Sequence, residues 1–539
     1  MRIYYLKNNK QMVTSKSNED LEVICVNEDH HHLVKVKAKS SLTLLKADDY
    51  LEHKINFKDT YFLNGYQSWT DTDEFYLSKR LRNIKKSPHL ISHMFAMDKY
   101  GDATFYRYSI KKSHGYDVFY SKGKNECFLY SLNFKTAYLV IELIKDSLKT
   151  IHLISDVKNI ALKKEEEVDV FNYYFYKSYQ EGINSFNEHF PRLNKEKIFG
   201  YTSWYNYYQN ISEAIILRDL DALDSRFNVF QIDDGYETFV GDWLDIDKKK
   251  FPNGLEGIVK HIHQKGYKAG IWLAPYAVEA KSITFKNHQD WLVKDEKGKL
   301  VKAGGNWSGF YVLDLYNEEA MKYMKKCLKF YMDLGFDFFK LDFLYAAALV
   351  PVKGKSRAQV QQESYDLLRE ILGDKLILGC GANLSNSYQV FDYLRIGPDV
   401  SLKFDDVAYM RLFHRERPST KATLKNTIYR SIFNDRFFGN DPDVFLLRDE
   451  NIGMTLKQRR ALTRLNALFG SVFMTSDDIA TYDDLKKDIL SEDLNLFYNA
   501  KVKSITRLNK KQIRIEYELE DKMHTLIYNS EKGVILKDE

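Results

Sequence analysis

Between about residues 195 and 480 the chain alternates short apolar runs with helical stretches, and this alternation limits its fold more than any other feature. The runs are IFGYTSWY (198–205), VFQIDDG (229–235), KAGIWLAP (268–275), FDFFKLDF (336–343), KLILGCGA (375–382), YLRIGPDV (393–400), one within FFGNDPDVFLL (437–447), and SVFMTSDD (471–478). Among the segments between them, SEAIILRDLDAL (212–223), LEGIVKHIHQKG (255–266) and EEAMKYMKKCLKFYMDLG (318–335) have helical spacing, and the last two end in glycines suited to a helix C-cap. A strand followed by a helix and a further strand gives a parallel pair, because a parallel return needs a crossover. Eight such units predict a (β/α)₈ TIM barrel. An open doubly wound sheet would carry a glycine-rich phosphate loop after its first strand, and none follows 198–205.

Both flanks read as β. Residues 1–190 contain runs such as LEVICV (21–26), HLVKVKA (32–38), TFYRYSI (104–110), ECFLYSL (126–132) and AYLVIEL (137–143), with no long helical pattern, and predict an N-terminal β-sandwich. The tail, 485–539, carries SITRLN, QIRIEYEL and HTLIYNS and predicts a small C-terminal antiparallel β domain. With the catalytic barrel at 195–480, this is a multidomain α/β and β chain, as 539 residues would suggest.

Composition excludes several function classes. A net charge of +5 without a concentrated Lys/Arg tract argues against nucleic-acid binding. No apolar run reaches about 18 residues, so no membrane span is expected. The start, MRIYYLKNNKQM, lacks the apolar stretch of a signal peptide, and a cytoplasmic location is expected. The cysteines Cys25, Cys127, Cys327 and Cys380 are scattered without a CxxC pair, which argues against a disulfide framework or a zinc site. The 38 tyrosines and 34 phenylalanines accompany abundant Lys, Asn and Ile, so an AT-rich coding bias explains most of them. Individual tryptophans are better candidates for sugar-stacking faces.

The chemistry concentrates at the predicted strand ends. In 336–343, Lys340 and Asp342 stand two residues apart and so share one face of an otherwise aromatic, buried strand. Charged groups there cost several kcal/mol unless they are paired or face a wet cavity. The other ends carry Asp233-Asp234, Trp272, Gly379-Cys380-Gly381, Arg395 with Asp399, Asp441 with Asp443, and Asp477-Asp478. One buried aspartate is as readily a cap or a strut as a catalytic group, but several converging on one rim are harder to explain structurally. A carboxylate ring serves either glycoside hydrolysis or divalent metal binding. No predicted strand end carries a histidine, and Lys340 and Arg395 would repel a metal ion, so no metal or organic cofactor is expected. The same cations suit a carboxylate that must stay ionised. Trp204, Trp243 and Trp272 offer flat faces for a pyranose ring, and Asp233-Asp234 can accept paired hydrogen bonds from sugar hydroxyls. NGYQSW (64–69) is turn-prone and aromatic, and on composition alone Trp69 would cap the sandwich core.

Seven stretches, NGYQSW (64–69), QIDDGY with GDW (231–243), KFPNGL (250–255), KAGIWLAP (268–275), FKLDFLYA (339–346), RIGPDV (395–400) and NDPDVFLLR (440–448), resemble glycoside hydrolase family 36, the α-galactosidases or melibiases. The resemblance implies a retaining exo-α-galactosidase working through a covalent galactosyl-enzyme. It implies Asp342 as nucleophile, Asp399 as acid/base, and Lys340 and Arg395 beside them. It further implies Asp233 and Asp234 on the galactose O4 and O6, Trp272 as a sugar-facing aromatic, and Asp443 either touching sugar or orienting its strand. It also implies that Trp69 reaches into the active site, against the compositional reading. Segment GCGANLSNS (379–387), with Cys380, is expected to shape recognition at C2 of the sugar, which leaves an α-N-acetylgalactosaminide open as substrate. A raffinose-synthase-like galactosyl transferase and a catalytically silent sugar-binding protein are the other readings. The partner implied is a small α-galactoside oligosaccharide. Homo-oligomers are frequent in the family, although no interface signature is legible here.

Overall fold

The computed structural model describes residues 1–77, 94, 96–102, 111–145, 147–352, 354–405 and 416–539. The N-terminal portion is built from two seven-stranded antiparallel sheets. One sheet includes Arg2–Lys7, Leu42–Glu52 and Thr150–Ser155; the other includes His31–Ala38, Glu167–Tyr176, Cys127–Ser131 and Thr60–Leu63. Alternating apolar residues such as Ile3, Leu44, Phe119, Leu129, Ile141 and Phe171 form one core between them. The predicted strand TFYRYSI (104–110) lies outside the described residues.

The opposite face of the second sheet is also buried. Phe62, Tyr120, Phe128 and Tyr130 belong to the same apolar cluster as the central sheet. Part of this joint is a helix, Tyr179–His189, within a region that reads as β from sequence. Ser178 caps it, and Gly182 brings it so close to the sheet that a Cβ there would lie 2.2 Å from Phe128 Cβ.

The central sheet is parallel throughout. Its strands are β1 (Ile198–Thr202), β2 (Val229–Ile232), β3 (Lys268–Leu273), β4 (Phe338–Leu341), β5 (Leu376–Gly379), β6 (Tyr393–Arg395), β7 (Gly439–Asp441), β8 (Val444–Phe445) and β9 (Val472–Thr475). Their order is β7-β6-β5-β4-β3-β2-β1-β9-β8. The two ends of this order are chain neighbours, β7 and β8, separated by Pro442 and Asp443. Pro442 supplies no backbone N–H, and Asp443 takes a left-handed φ of 73°. The ladder therefore switches partner at this kink: the first half pairs with β6 and the second with β9. All eight predicted strand regions carry strand, with β7 and β8 both falling in the seventh.

Helices Glu213–Ala222, Glu256–Gln264, Glu318–Asp333, Arg357–Leu372, Thr420–Tyr429 and Leu456–Phe469 fill most of the crossovers. The connection from β5 to β6 is different. Residues 380–392 hold only a short 3-10 turn, Ser385–Ser387, and pack against the N-terminal sheets instead. Tyr138 donates to Asn386 Oδ1 (2.7 Å), Ser385 donates to Asp117 (2.8 Å), and Ser68 N–H donates to the Ala382 carbonyl (2.9 Å).

The tail differs from its sequence reading in its first part. Residues Asp484–Asn499 form a helix capped by Asp483 and packed against Leu456–Phe469; the four-stranded antiparallel sheet starts only at Lys501. Apolar residues Ile489, Leu490, Leu494 and Phe497 recur at helical spacing and are buried, which accounts for the helix. The tail sheet meets the N-terminal sheets through a buried ion pair, Arg507 to Asp73, with the guanidinium also 5.3 Å from the Tyr429 ring centroid. Taking the cation from a buried pair is costly because the carboxylate keeps its desolvation penalty. Arg507→Met is expected to destabilise the protein by about 3 kcal/mol, read as a lowered thermal-denaturation midpoint; an unchanged midpoint would contradict this reading of the joint.

Candidate active site

A cavity of about 400 Å³ opens at the carboxyl edge of the parallel sheet, a volume within the usual range for small-ligand sites. Its floor holds Asp233, Asp234, Trp272, Lys340, Asp342 and Asp399. Its walls come from elsewhere: Trp69, Met97 and Tyr100 from the N-terminal portion, Trp204 and Gln209 after β1, Asn306 and Trp307 after β3, and Glu416, Arg417 and Pro418 after β6.

Asp342 sits just beyond β4, and its carboxylate is fixed by two donors. Trp272 Nε1–H reaches Oδ2 at 3.1 Å, and the Phe343 backbone N–H reaches Oδ1 at 2.8 Å. Phe343 takes a left-handed φ of 54°, a costly conformation for a bulky residue and one found where a side chain must be aimed. Lys340 bonds a different carboxylate. Its ammonium donates to Asp233 Oδ2 at 2.9 Å, with both side chains nearly inaccessible. Burial alone would depress the ammonium, but the Asp233 carboxylate overrides it and holds Lys340 above its ordinary value.

Asp233 Oδ2 also accepts from Gln231 Nε2 (2.7 Å) and Thr202 Oγ1 (3.2 Å). Asp234 takes Gln209 Nε2 on Oδ1 (3.0 Å) and Trp307 Nε1 on Oδ2 (2.9 Å). Burial holds Asp234 above its ordinary value against hydrogen bonds from Glu237, Gln209 and Trp307. Its neighbour Glu237 is driven well above the carboxylate range by burial and by the Asp234 charge, so Glu237 holds the proton of this pair.

Arg395, at the end of β6, is a buried cation shared by three carboxylates: Asp399 (3.0 Å), Asp441 (2.7 Å) and Asp443 (2.8 Å). Burial lowers the guanidinium, but Asp441 and Asp443 more than reverse this. Asp399 is the one of the three that faces the cavity, with 37% of its side chain accessible. Enclosure by the cavity walls and repulsion from Asp443 push Asp399 up to about 7, with Arg395 and Lys340 opposing.

The other predicted residues divide sharply. Trp69 lines the cavity, with its ring 5.2 Å from that of Phe343, and does not cap the sandwich core. Trp204 lines it too, whereas Trp243 is buried behind Trp272, 5.8 Å away. Asp443 is fully buried, accepts from Tyr205 and the Val400 N–H (2.7 Å), and is absent from the cavity wall. The kink at Pro442 turns it beneath the floor. Cys380 is likewise buried and off the wall, as is all of 379–387, which the N-terminal sheets cover. Asp477 anchors the chain after β8 by accepting the Leu447 and Arg448 N–H groups (2.6 and 2.9 Å). Gln209, Asn306 and Trp307 also line the cavity, although no strand-end pattern marks them. The glycine-rich GGNW (304–307) was a usable signal for the last two.

A pocket at this edge of a parallel sheet, walled by tryptophans and floored by several carboxylates, has the groups that glycoside hydrolysis uses. Comparison with known proteins agrees. Residues 201–373 match the family model described as Melibiase, and the curated relatives of the chain include α-galactosidases. An α-xylosidase, XylQ, of Lactiplantibacillus pentosus is 32% identical over 161 residues, covering 28% of this chain and 20% of the relative. An α-galactosidase of Escherichia coli is 26% identical over 215 residues, covering 35% and 29%. The matches thus span under a third of these relatives' length. The solved α-galactosidase TtGalA of Thermus thermophilus superposes with a TM-score of 0.71 at 23% identity, over 93% of this chain and 98% of that one, and shares its fold.

The folded-state value of Asp399 lies above the unfolded one, so between about pH 4 and 7 the folded protein keeps a proton that the unfolded chain releases. Stability contributed by this group therefore falls as pH rises through that window. Asp399→Asn is expected to raise the melting temperature over the wild type at pH 8 and to lose this advantage near pH 4; an equal difference at both pH values would contradict the assignment.

Proposed function

We propose that the protein is a retaining exo-α-galactosidase, with its parallel sheet acting as a (β/α)₈ barrel closed through the β7–β8 kink. One observation carries the reading. Asp342 and Asp399 face a single cavity with different surroundings, the first accepting two N–H hydrogen bonds and the second raised towards neutrality. Two carboxyls whose environments differ in this way divide into a nucleophile and an acid/base.

In this mechanism the Asp342 carboxylate attacks C1 from the face opposite the aglycone. Asp399 gives its proton to the leaving oxygen, and a β-galactosyl ester forms on Asp342. Water then enters, Asp399 takes a proton from it, and α-galactose leaves with its configuration retained. Asp233 and Asp234 accept from hydroxyls of the terminal sugar, Lys340 holds Asp233 in place, and Trp272 both orients Asp342 and presents its ring to the sugar. Trp69, with no acceptor for its indole N–H among the described residues, closes the cavity from the N-terminal side. The solved relative is in complex with p-nitrophenyl α-D-galactopyranoside, which makes the same compound the natural first substrate to try.

The wild type is expected to hydrolyse p-nitrophenyl α-galactoside and release the α-anomer first in a proton NMR time course. Asp342→Ala should lower kcat by at least about 10⁴-fold. The kcat/KM profile should fall on the alkaline side with an apparent pKa near 7, since Asp399 must start protonated. Early release of the β-anomer, or an Asp342→Ala enzyme as active as wild type, would refute the mechanism. The N-acetylated nitrophenyl glycoside, run alongside, separates an N-acetylgalactosaminidase; products formed at high sucrose separate a transferase.

A further inference from the structure

Asn426, in helix Thr420–Tyr429, and Arg430, in the 3-10 turn Arg430–Phe433, stand one helical turn apart and are both completely buried. Arg430 spends its donors on neutral acceptors. Nε reaches Asn64 Oδ1 (3.1 Å), one terminal nitrogen reaches the Ser68 and Ile396 carbonyls (2.6 and 2.8 Å), and the other reaches those of Gly65 and Gln67 (3.3 and 3.1 Å). Asn426 repeats the pattern. Its amide donates to the carbonyls of Thr70 (2.9 Å) and Ile396 (3.1 Å), and its oxygen accepts the Thr72 N–H (2.8 Å). Burial lowers the guanidinium to about 9, with only the more distant charge of Asp71 opposing, so it remains a cation at neutral pH.

A buried cation without a bonded carboxylate is expensive, and its convergence with a buried amide on one carbonyl needs a reason. That carbonyl, of Ile396, begins the four-residue run Ile396-Gly397-Pro398-Asp399. The other acceptors belong to 64–72, the loop that carries Trp69. The two segments come from different parts of the chain and form neighbouring walls of one cavity.

We propose that Asn426 and Arg430 form a positioning clamp that fixes loop 64–72 against segment 396–399 and so aligns the Asp399 carboxyl on the leaving oxygen. The proposal rests on the reading of Asp399 as acid/base. It assigns the N-terminal portion a part in proton transfer, beyond closing the cavity through Trp69. A misplacement of about 1 Å in such a group costs on the order of 10²-fold in rate, and the loss falls on the step that needs the proton.

The test uses two α-galactosides of unequal leaving groups on the full chain. A 2,4-dinitrophenyl galactoside leaves without protonation; methyl α-galactoside does not. Asn426→Ala and Arg430→Lys should lower kcat/KM on the methyl glycoside about 100-fold, and on the dinitrophenyl glycoside by no more than about threefold. The alkaline limb of the methyl-glycoside profile should also shift. Equal losses on both substrates with an unmoved pH profile would overturn the clamp and leave a purely structural role. If Arg430→Lys yields no soluble protein, Asn426→Ala decides alone, since it keeps the guanidinium. A wild type that cleaves neither glycoside would instead overturn the galactosidase reading, and the clamp with it.

Discussion

The site depends first on the Arg395 guanidinium. Asp399, Asp441 and Asp443 would repel one another if ionised, and Arg395 pairs with all three within 3.0 Å. Because its charge is permanent, it does not itself titrate during turnover. It also divides the three carboxylates unequally. Asp441 and Asp443 are sealed beneath the floor, while Asp399 keeps one side open to the cavity. Burial and the Asp443 charge then raise the exposed member, which is the one that has to gain and lose a proton in the proposed reaction. Lys340 does comparable work on the other side by neutralising Asp233, so that Asp342 is left with N–H donors as its hydrogen-bond partners.

A second constraint is that the parallel sheet does not make the cavity alone. Trp69 and Tyr100 come from the N-terminal portion, and Tyr100 is tied to the loop after β3 through Asn306 and the Gly305 N–H (2.9 Å). The missing helix between β5 and β6 is part of the same arrangement, since the N-terminal sheets occupy the flank that a helix would otherwise cover. The joint adds specific polar contacts to its apolar cluster, as in Arg357, which is paired with Asp102 and Asp156 and stacked 4.7 Å from the Tyr66 ring centroid. Such contacts set register more than they add stability, which suits a wall that must hold catalytic spacing.

The strands of the parallel sheet were legible because each is a short apolar run between helical segments, and their ends located Asp233, Asp234, Asp342 and Asp399. What those ends could not tell was which way a side chain turns beyond the last ladder bond. Asp443 follows Pro442 with a left-handed backbone and drops below the floor, and Asp477 bonds the backbone after β8. Cys380 heads a loop committed to the N-terminal sheets. Gln209 and Trp307 escaped notice for the opposite reason: they lie in connections far from Asp234 in sequence, and only the tertiary fold brings them to it. Composition alone points Trp69 at the sandwich core, whereas its ring lines the cavity; nothing local to NGYQSW says that Arg430, over 360 residues on, will hold its loop. The tail helix Asp484–Asn499 was passed over although its apolar spacing was present.

The central claim is that Asp342 becomes covalently attached to the sugar. The direct measurement is intact-mass and peptide-mass analysis after incubation with 5-fluoro-α-D-galactosyl fluoride, which forms a glycosyl-enzyme quickly and hydrolyses slowly. One added fluorogalactosyl group per chain is expected, located on the peptide that contains Asp342. A label on any other residue, or turnover of the reagent with no adduct, would contradict it.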